Sequence, residues 1–344
     1  MSYKQMTGNI ISATKVEPDG VFSSSAASGV WSLQEQYDYV RGANWPSQAN
    51  PAPLGLFGGG NVSGQKDTIN QLNLISEGNT TDFGDLTLGT YGRRACSSST
   101  RGVWGGGEGS GQKYNTIDYV TFASAGNASD FGDLTIARQK AATVSNNTRG
   151  IWIGGDGGSG ASVVIDYITI GSTGNATDFG DTSAVYSGCG LASTTRGVYG
   201  QGYFGGTFSN VMEYITIGST GNSTDFGDLT VAKGSGGNGG VASNTRGLFA
   251  ASQTSGGASN VIDYITIAST GNASDFGNLT SARYTGGGVS SKIKGIWGPG
   301  VEGSPSNVID FVTIATTGNA ADFGDMAHLI NEYGCCSNLH GGLA

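Results

Sequence analysis

Short apolar runs separated by polar turns recur along the chain, and one full period reads from Asp133 to Asp181. Within it VVIDYITI (Val163–Ile170) is β-branched and aromatic and apolar on both faces, which predicts a strand buried on both sides. TVSNNTRGIW (Thr143–Trp152) is two apolar runs joined by a polar turn, the pattern of a hairpin. A short fourth strand, TDFGD, is entered through Gly-Asn, a pair that tolerates positive φ. The period thus holds four strands and no helical periodicity, the size of one β-propeller blade.

The same phrase returns six times: GNTTDFGD from Gly78, GNASDFGD from Gly126, GNATDFGD from Gly174, GNSTDFGD from Gly221, GNASDFGN from Gly271 and GNAADFGD from Gly318. Its phenylalanines, Phe83, Phe131, Phe179, Phe226, Phe276 and Phe323, are spaced by 48, 48, 47, 50 and 47 residues. A DFG triplet holds magnesium in protein kinases. Here no Gly-rich loop, strand lysine or HRD-like segment accompanies it, and even repetition marks an architectural unit. The 62 glycines fall at fixed repeat positions among Trp and Val-Ile runs, which predicts ordered tight turns rather than low complexity.

The order of features narrows the fold further. A basic residue opens strand one (Arg138, Lys233, Arg283), and a hydrophobic pair runs into glycines after strand two, as in VWGGG from Val103 and IWIGG from Ile151. A VIDY strand three follows, with an aromatic in strand four. This arrangement resembles the kelch repeat over roughly residues 54 to 340, with Phe where kelch has a strand-four tryptophan. The resemblance implies an all-β, kelch-like β-propeller over residues 47–344. It says little about function, because propellers host many unrelated activities.

The ends predict the blade count. LGLFGGG from Leu54 matches strand two and lacks a strand one, whereas AHLINEYGCCSNLHGGLA after the last DFG supplies a strand one and stops. Pairing the two closes six blades of four strands and removes open sheet edges. HGGLA, which imitates another strand two, keeps a seven-bladed ring as the alternative.

Residues 1–46 carry no repeat and contain the one helix signal, in a short N-terminal extension. Ser32 and Glu35 form a capping box, Leu33, Tyr37 and Val40 share a face near Trp31, Gly42 suits the end and Pro46 stops it. A helix that short needs a partner, so the segment is expected to dock. From Ala27 to Pro46, the phrase SGVWSLQEQY followed by NWP is similar to the N-terminal part of structural, including tail-fibre-like, proteins of marine tailed bacteriophages. The resemblance implies a virion component whose N-terminal segment meets other virion proteins while the propeller is displayed.

Charge and candidate chemistry adjust this picture only slightly. Net charge is −9 with no block of like charge, which argues against nucleic-acid binding. The N-terminus lacks an apolar signal-like run, and no apolar run is long enough to span a bilayer. Cys96 and Cys335 occupy a slot held elsewhere by Val or Leu and read as small hydrophobes; Cys335, Cys336 and His340 match no zinc spacing. The Asp82–Asp85, Asp130–Asp133, Asp178–Asp181, Asp225–Asp228 and Asp322–Asp325 pairs could hold calcium or cap the turn, and Asn278 in one copy favours capping.

A basic series, Arg101, Arg149, Arg196, Arg246 and Lys294 with His340 in the sixth slot, falls on one rim. It could grip an anionic glycan or acidic partner, or pair with neighbouring aspartates. Loops between strands two and three differ most among copies, and Tyr203 and Phe204 there suit sugar stacking. Neither histidine has a nucleophile at a family spacing. The expectation is a non-enzymatic virion protein without cofactor or metal, a tail-fibre or surface adhesin recognising host glycan. The alternatives are a capsid or tail decoration or spacer protein, and a cytoplasmic kelch adaptor. Self-association into a homo-oligomer is compatible with either virion role.

Overall fold

The computed structural model describes Ser32, Gln34 and residues 52–343 apart from 184–187, 201, 205, 235–236, 238 and 302. The chain divides into two compact units, Met1–Asn50 and Pro51–Ala344. Of the expected helix, Ser32 and Gln34 are exposed and Gln34 is helical; Trp31, Leu33, Tyr37 and Val40 lie outside the described residues.

The second unit is a six-bladed β-propeller. Among the described residues, six antiparallel sheets each carry four blade strands, and two sheets gain an added two-residue strand, Tyr203–Phe204 or Gln253–Thr254. Blade 1 is closed by chain ends: Gly334–Ser337 is innermost, followed by Leu54–Gly58, Thr68–Asn73 and Thr81–Asp85. Blade 2 begins at Arg94, blade 3 at Ala142, blade 4 at Cys189, blade 5 at Gly240 and blade 6 at Gly288. Six is therefore the count, and HGGLA adds no strand. Gly341 instead donates to the Ala242 carbonyl, and His340 lies 3.3 Å from Ser145 Oγ and 3.4 Å from Ser97 O. The C-terminus thus folds across the ends of inner strands from blades 2, 3 and 5.

The DFG phrase is a clip between blades. In all six outer strands the register slips at the phenylalanine, so that Asp118 faces Asp130 while Ile117 faces Gly132, and Phe131 enters the core as the bulged residue. Gly132 has φ +143°, and a Cβ there would lie 2.5 Å from the Gly174 carbonyl of the next blade, so only glycine fits. Gly174 N in turn donates to Phe131 O at 2.8 Å, and Asn175 Oδ1 accepts from Asp133 N at 3.1 Å. The expected capping by aspartate is corrected here: asparagine side chains of the following blade cap these strands. The paired aspartate carboxylates make no hydrogen bond among the described residues.

The core lies between blades in a set of repeated clusters. Trp104, Trp152 and Trp297 are fully buried, and each indole donates to a carbonyl of the preceding blade: Gly334 and Arg94 in innermost strands, and Gly239 just before one. The four cysteines are buried free thiols, and burial pushes the Cys189 thiol up to about 12. Around the axis the inner strands are bonded by hydroxyls, for example Ser97 Oγ to Ser337 O and Ser337 Oγ to Ser290 O, both at 2.8 Å. The remaining channel is a cavity of about 50 Å³ walled by these strands and His340, room for little more than water.

Candidate binding site

The residues expected to open strand one sit elsewhere. Arg138, Lys233 and Arg283 lie before the innermost strand and turn inward, where each meets the aspartate of a VIDY strand. Arg138 to Asp166 and Lys233 to Asp263 measure 2.7 Å, and Arg283 to Asp310 measures 2.8 Å; in blade 2, Arg93 reaches Asp118 at 2.6 Å from a different position. All eight side chains are 0 % exposed. The second carboxylate oxygen of each accepts from a threonine, Thr87, Thr135, Thr230 or Thr280, at the end of the preceding blade. A buried carboxylate is tolerable only with such compensation. The VIDY aspartate went unremarked in the sequence because an apolar run masks it; its fixed place in four copies was the available signal.

Two blades depart from this rule in opposite ways. In blade 1 all three partners change together: Asn70 replaces the aspartate, Ile330 the cation and Ala327 the threonine, leaving no charge. In blade 4 the acid remains as Glu213, while the slot of Arg138 is held by Tyr186. Glu213 meets hydroxyls only. Thr182 Oγ1 at 2.7 Å, Tyr199 OH at 2.5 Å and Ser223 Oγ at 3.0 Å all donate to Oε2. Burial would push its carboxyl up, but the hydrogen bonds from Tyr199, Thr182, Ser183 and Ser223 outweigh it and hold the group below the usual carboxylate range. Tyr199 stands in the tryptophan slot, and burial followed by the Glu213 charge raises its hydroxyl far above the usual phenol value.

A pocket of about 340 Å³ opens beside this carboxylate, lined by Tyr199, Tyr203, Phe208, Asn210, Val211 and Glu213. That volume is in the range of small-ligand sites. The added strand Tyr203–Phe204 pairs with Thr207–Phe208, and the Tyr203 and Phe208 rings stand 5.1 Å apart, tilted by 56°. Tyr203, expected to stack on sugar, is half-buried, and the Phe204 side chain lies outside the described residues. Val211 is 45 % exposed at the rim.

The basic series is half-buried on the opposite side, where strands one and two turn. Arg101, Arg149, Arg196 and Arg246 lie 4.4–4.8 Å above the rings of Tyr119, Tyr167, Tyr214 and Tyr264. Lys294 lies 4.6 Å from the Phe311 ring. Each also donates to a carbonyl of the next blade, as Arg101 does to Ile170 O at 3.0 Å and Lys294 to Ile75 O at 3.0 Å. Their partners are rings and carbonyls rather than the aspartates anticipated, although Glu77 lies 3.9 Å from Lys294. His340 leaves this series and lines the channel, where burial lowers its pKa to about 4. No helix among the described residues is long and apolar enough to cross a membrane. No protein-family model matches the chain, and a search of curated proteins returns no match.

Proposed function

We propose that the protein is a non-enzymatic binding protein: a tail-fibre-like component or surface adhesin of a phage virion that displays a kelch-like propeller for host-surface glycan recognition. The β-propeller fold is compatible with a binding or adhesin role. The observation that carries the reading is a contrast within the ring. The axial channel is nearly filled, whereas the side bearing the strand-two to strand-three loops varies from blade to blade and opens a pocket of ligand size in blade 4. Residues 1–46 are assigned to attachment on other virion proteins, with the propeller as the displayed end. The rim of Arg101, Arg149, Arg196, Arg246 and Lys294 offers a secondary surface for acidic groups.

The test is binding of fluorescently labelled full-length chain to a panel of bacterial cells and to their purified surface polysaccharides. Saturable cell binding that soluble polysaccharide displaces supports the adhesin reading. Binding to purified virion proteins alone, with cells and polysaccharides unbound, replaces it with a decoration or spacer role.

A further inference from the structure

Blade 4 keeps a carboxylate where four other blades neutralise theirs with a buried cation, and where blade 1 has removed both partners. The repeat therefore shows two ways to satisfy this position internally, and blade 4 uses neither. Glu213 is half-buried, and its hydroxyl partners Thr182, Tyr199, Ser183 and Ser223 favour the carboxylate without bringing a positive charge to it. No cation is among the groups that shift the Glu213 carboxyl, and the sequence of residues 184–187, Ala-Val-Tyr-Ser, supplies none. The pocket above it brings the rings of Tyr203 and Phe208, and aromatic faces attract cations as carboxylates do.

We infer that the blade-4 pocket formed by Glu213, Tyr199, Tyr203 and Phe208 binds a positively charged group, an alkylammonium or guanidinium, which takes from outside the place that Arg138 takes within blade 3. The carboxylate supplies the charge-assisted hydrogen bond and the rings supply the walls. Neutral sugars, which satisfy hydroxyl acceptors but not a net charge, fit less well. This deepens the binding reading by naming the chemistry of the ligand at one site, and it can stand if cell adhesion fails.

The experiment titrates full-length protein with n-butylammonium, n-butylguanidinium, glucosamine, N-acetylglucosamine and glucose at low salt, followed by NMR of the tyrosine and phenylalanine rings. The expected result is saturable binding of the three cations and none of the two neutral sugars, with at least roughly tenfold weaker binding in Glu213→Gln. Glucosamine binding more tightly than the alkyl probes points to an amino sugar; the reverse order points to lysine or arginine side chains of a protein. Tyr203→Ala, which keeps the hydroxyls of Thr182, Tyr199 and Ser223 on Glu213, should also weaken the cations and so covers a folding failure of Glu213→Gln. Equal binding of neutral and charged sugars, no binding of any cation, or full affinity in a folded Glu213→Gln would overturn the inference. Cell adhesion that survives Glu213→Gln would leave the adhesin reading intact while separating it from this pocket.

Discussion

Asp166→Asn preserves side-chain shape and removes one negative charge from a site with no exposure. Arg138 would then keep its bonds to the carbonyls of Gly154, Val164 and Trp152, but its charge would be buried without a counter-ion. Its Nε already lacks a partner, so the guanidinium has little left to fall back on. Breaking one side of a buried pair costs about 3–5 kcal/mol. At about 2 °C per kcal/mol for a domain this large, the melting temperature should drop by roughly 6–10 °C. Replacing the whole constellation by its blade 1 counterpart, Thr135→Ala with Arg138→Ile and Asp166→Asn, should cost much less, within about 1–2 kcal/mol of the parent, because no buried charge remains. The assay is urea and thermal unfolding of parent, single and triple variants by circular dichroism and by fluorescence of Trp152, whose carbonyl Arg138 contacts. A single variant costing under about 1 kcal/mol, or a triple variant worse than the single, would refute the claim that charge compensation governs this position.

Other perturbations separate the remaining roles. Gly132→Ala should destabilise by about 2–3 kcal/mol, since both its φ and the Gly174 carbonyl oppose a Cβ; Gly126→Ala, with φ +157° and nothing within 4 Å, should cost clearly less in the same urea titration. Arg149→Ala loses the stack on Tyr167 and the bond to Ile217 O, and should cost about 1–2 kcal/mol, whereas Arg149→Lys recovers part of it. His340 has a folded pKa below its unfolded value, so its neutral form stabilises the fold above pH 6.5 and that contribution is lost as pH falls toward 4. The loss is at most about 3 kcal/mol, and melting curves of His340→Gln should show a flatter pH dependence over that window.

Much of this architecture is written locally. The β-branched VIDY run, the Gly-Asn turn and the DFG phrase each fix a strand or turn through nearest-neighbour chemistry, and their even spacing implies a ring. The unmatched strand two at Leu54 and strand one at Gly334 fix how it closes, because an unpaired edge must find a partner. What the sequence could not decide is where each polar side chain points once blades stack. Arg138, Lys233 and Arg283 read as the start of strand one, yet they lie before it and packing turns them onto aspartates hidden in apolar strands. The rim arginines look solvated, yet aromatic rings and carbonyls of neighbouring blades hold them. HGGLA looks like a strand, but the channel mouth offers inner-strand carbonyls instead of a sheet edge. Tyr203 could be noticed in a loop; that it lines a pocket with Glu213 depends on the added strand Tyr203–Phe204 folding back on the strand that carries the acid. Strands are written in local periodicity, whereas side-chain direction is set by which strands pair and which blades pack, so the strands were legible in advance and the site was not.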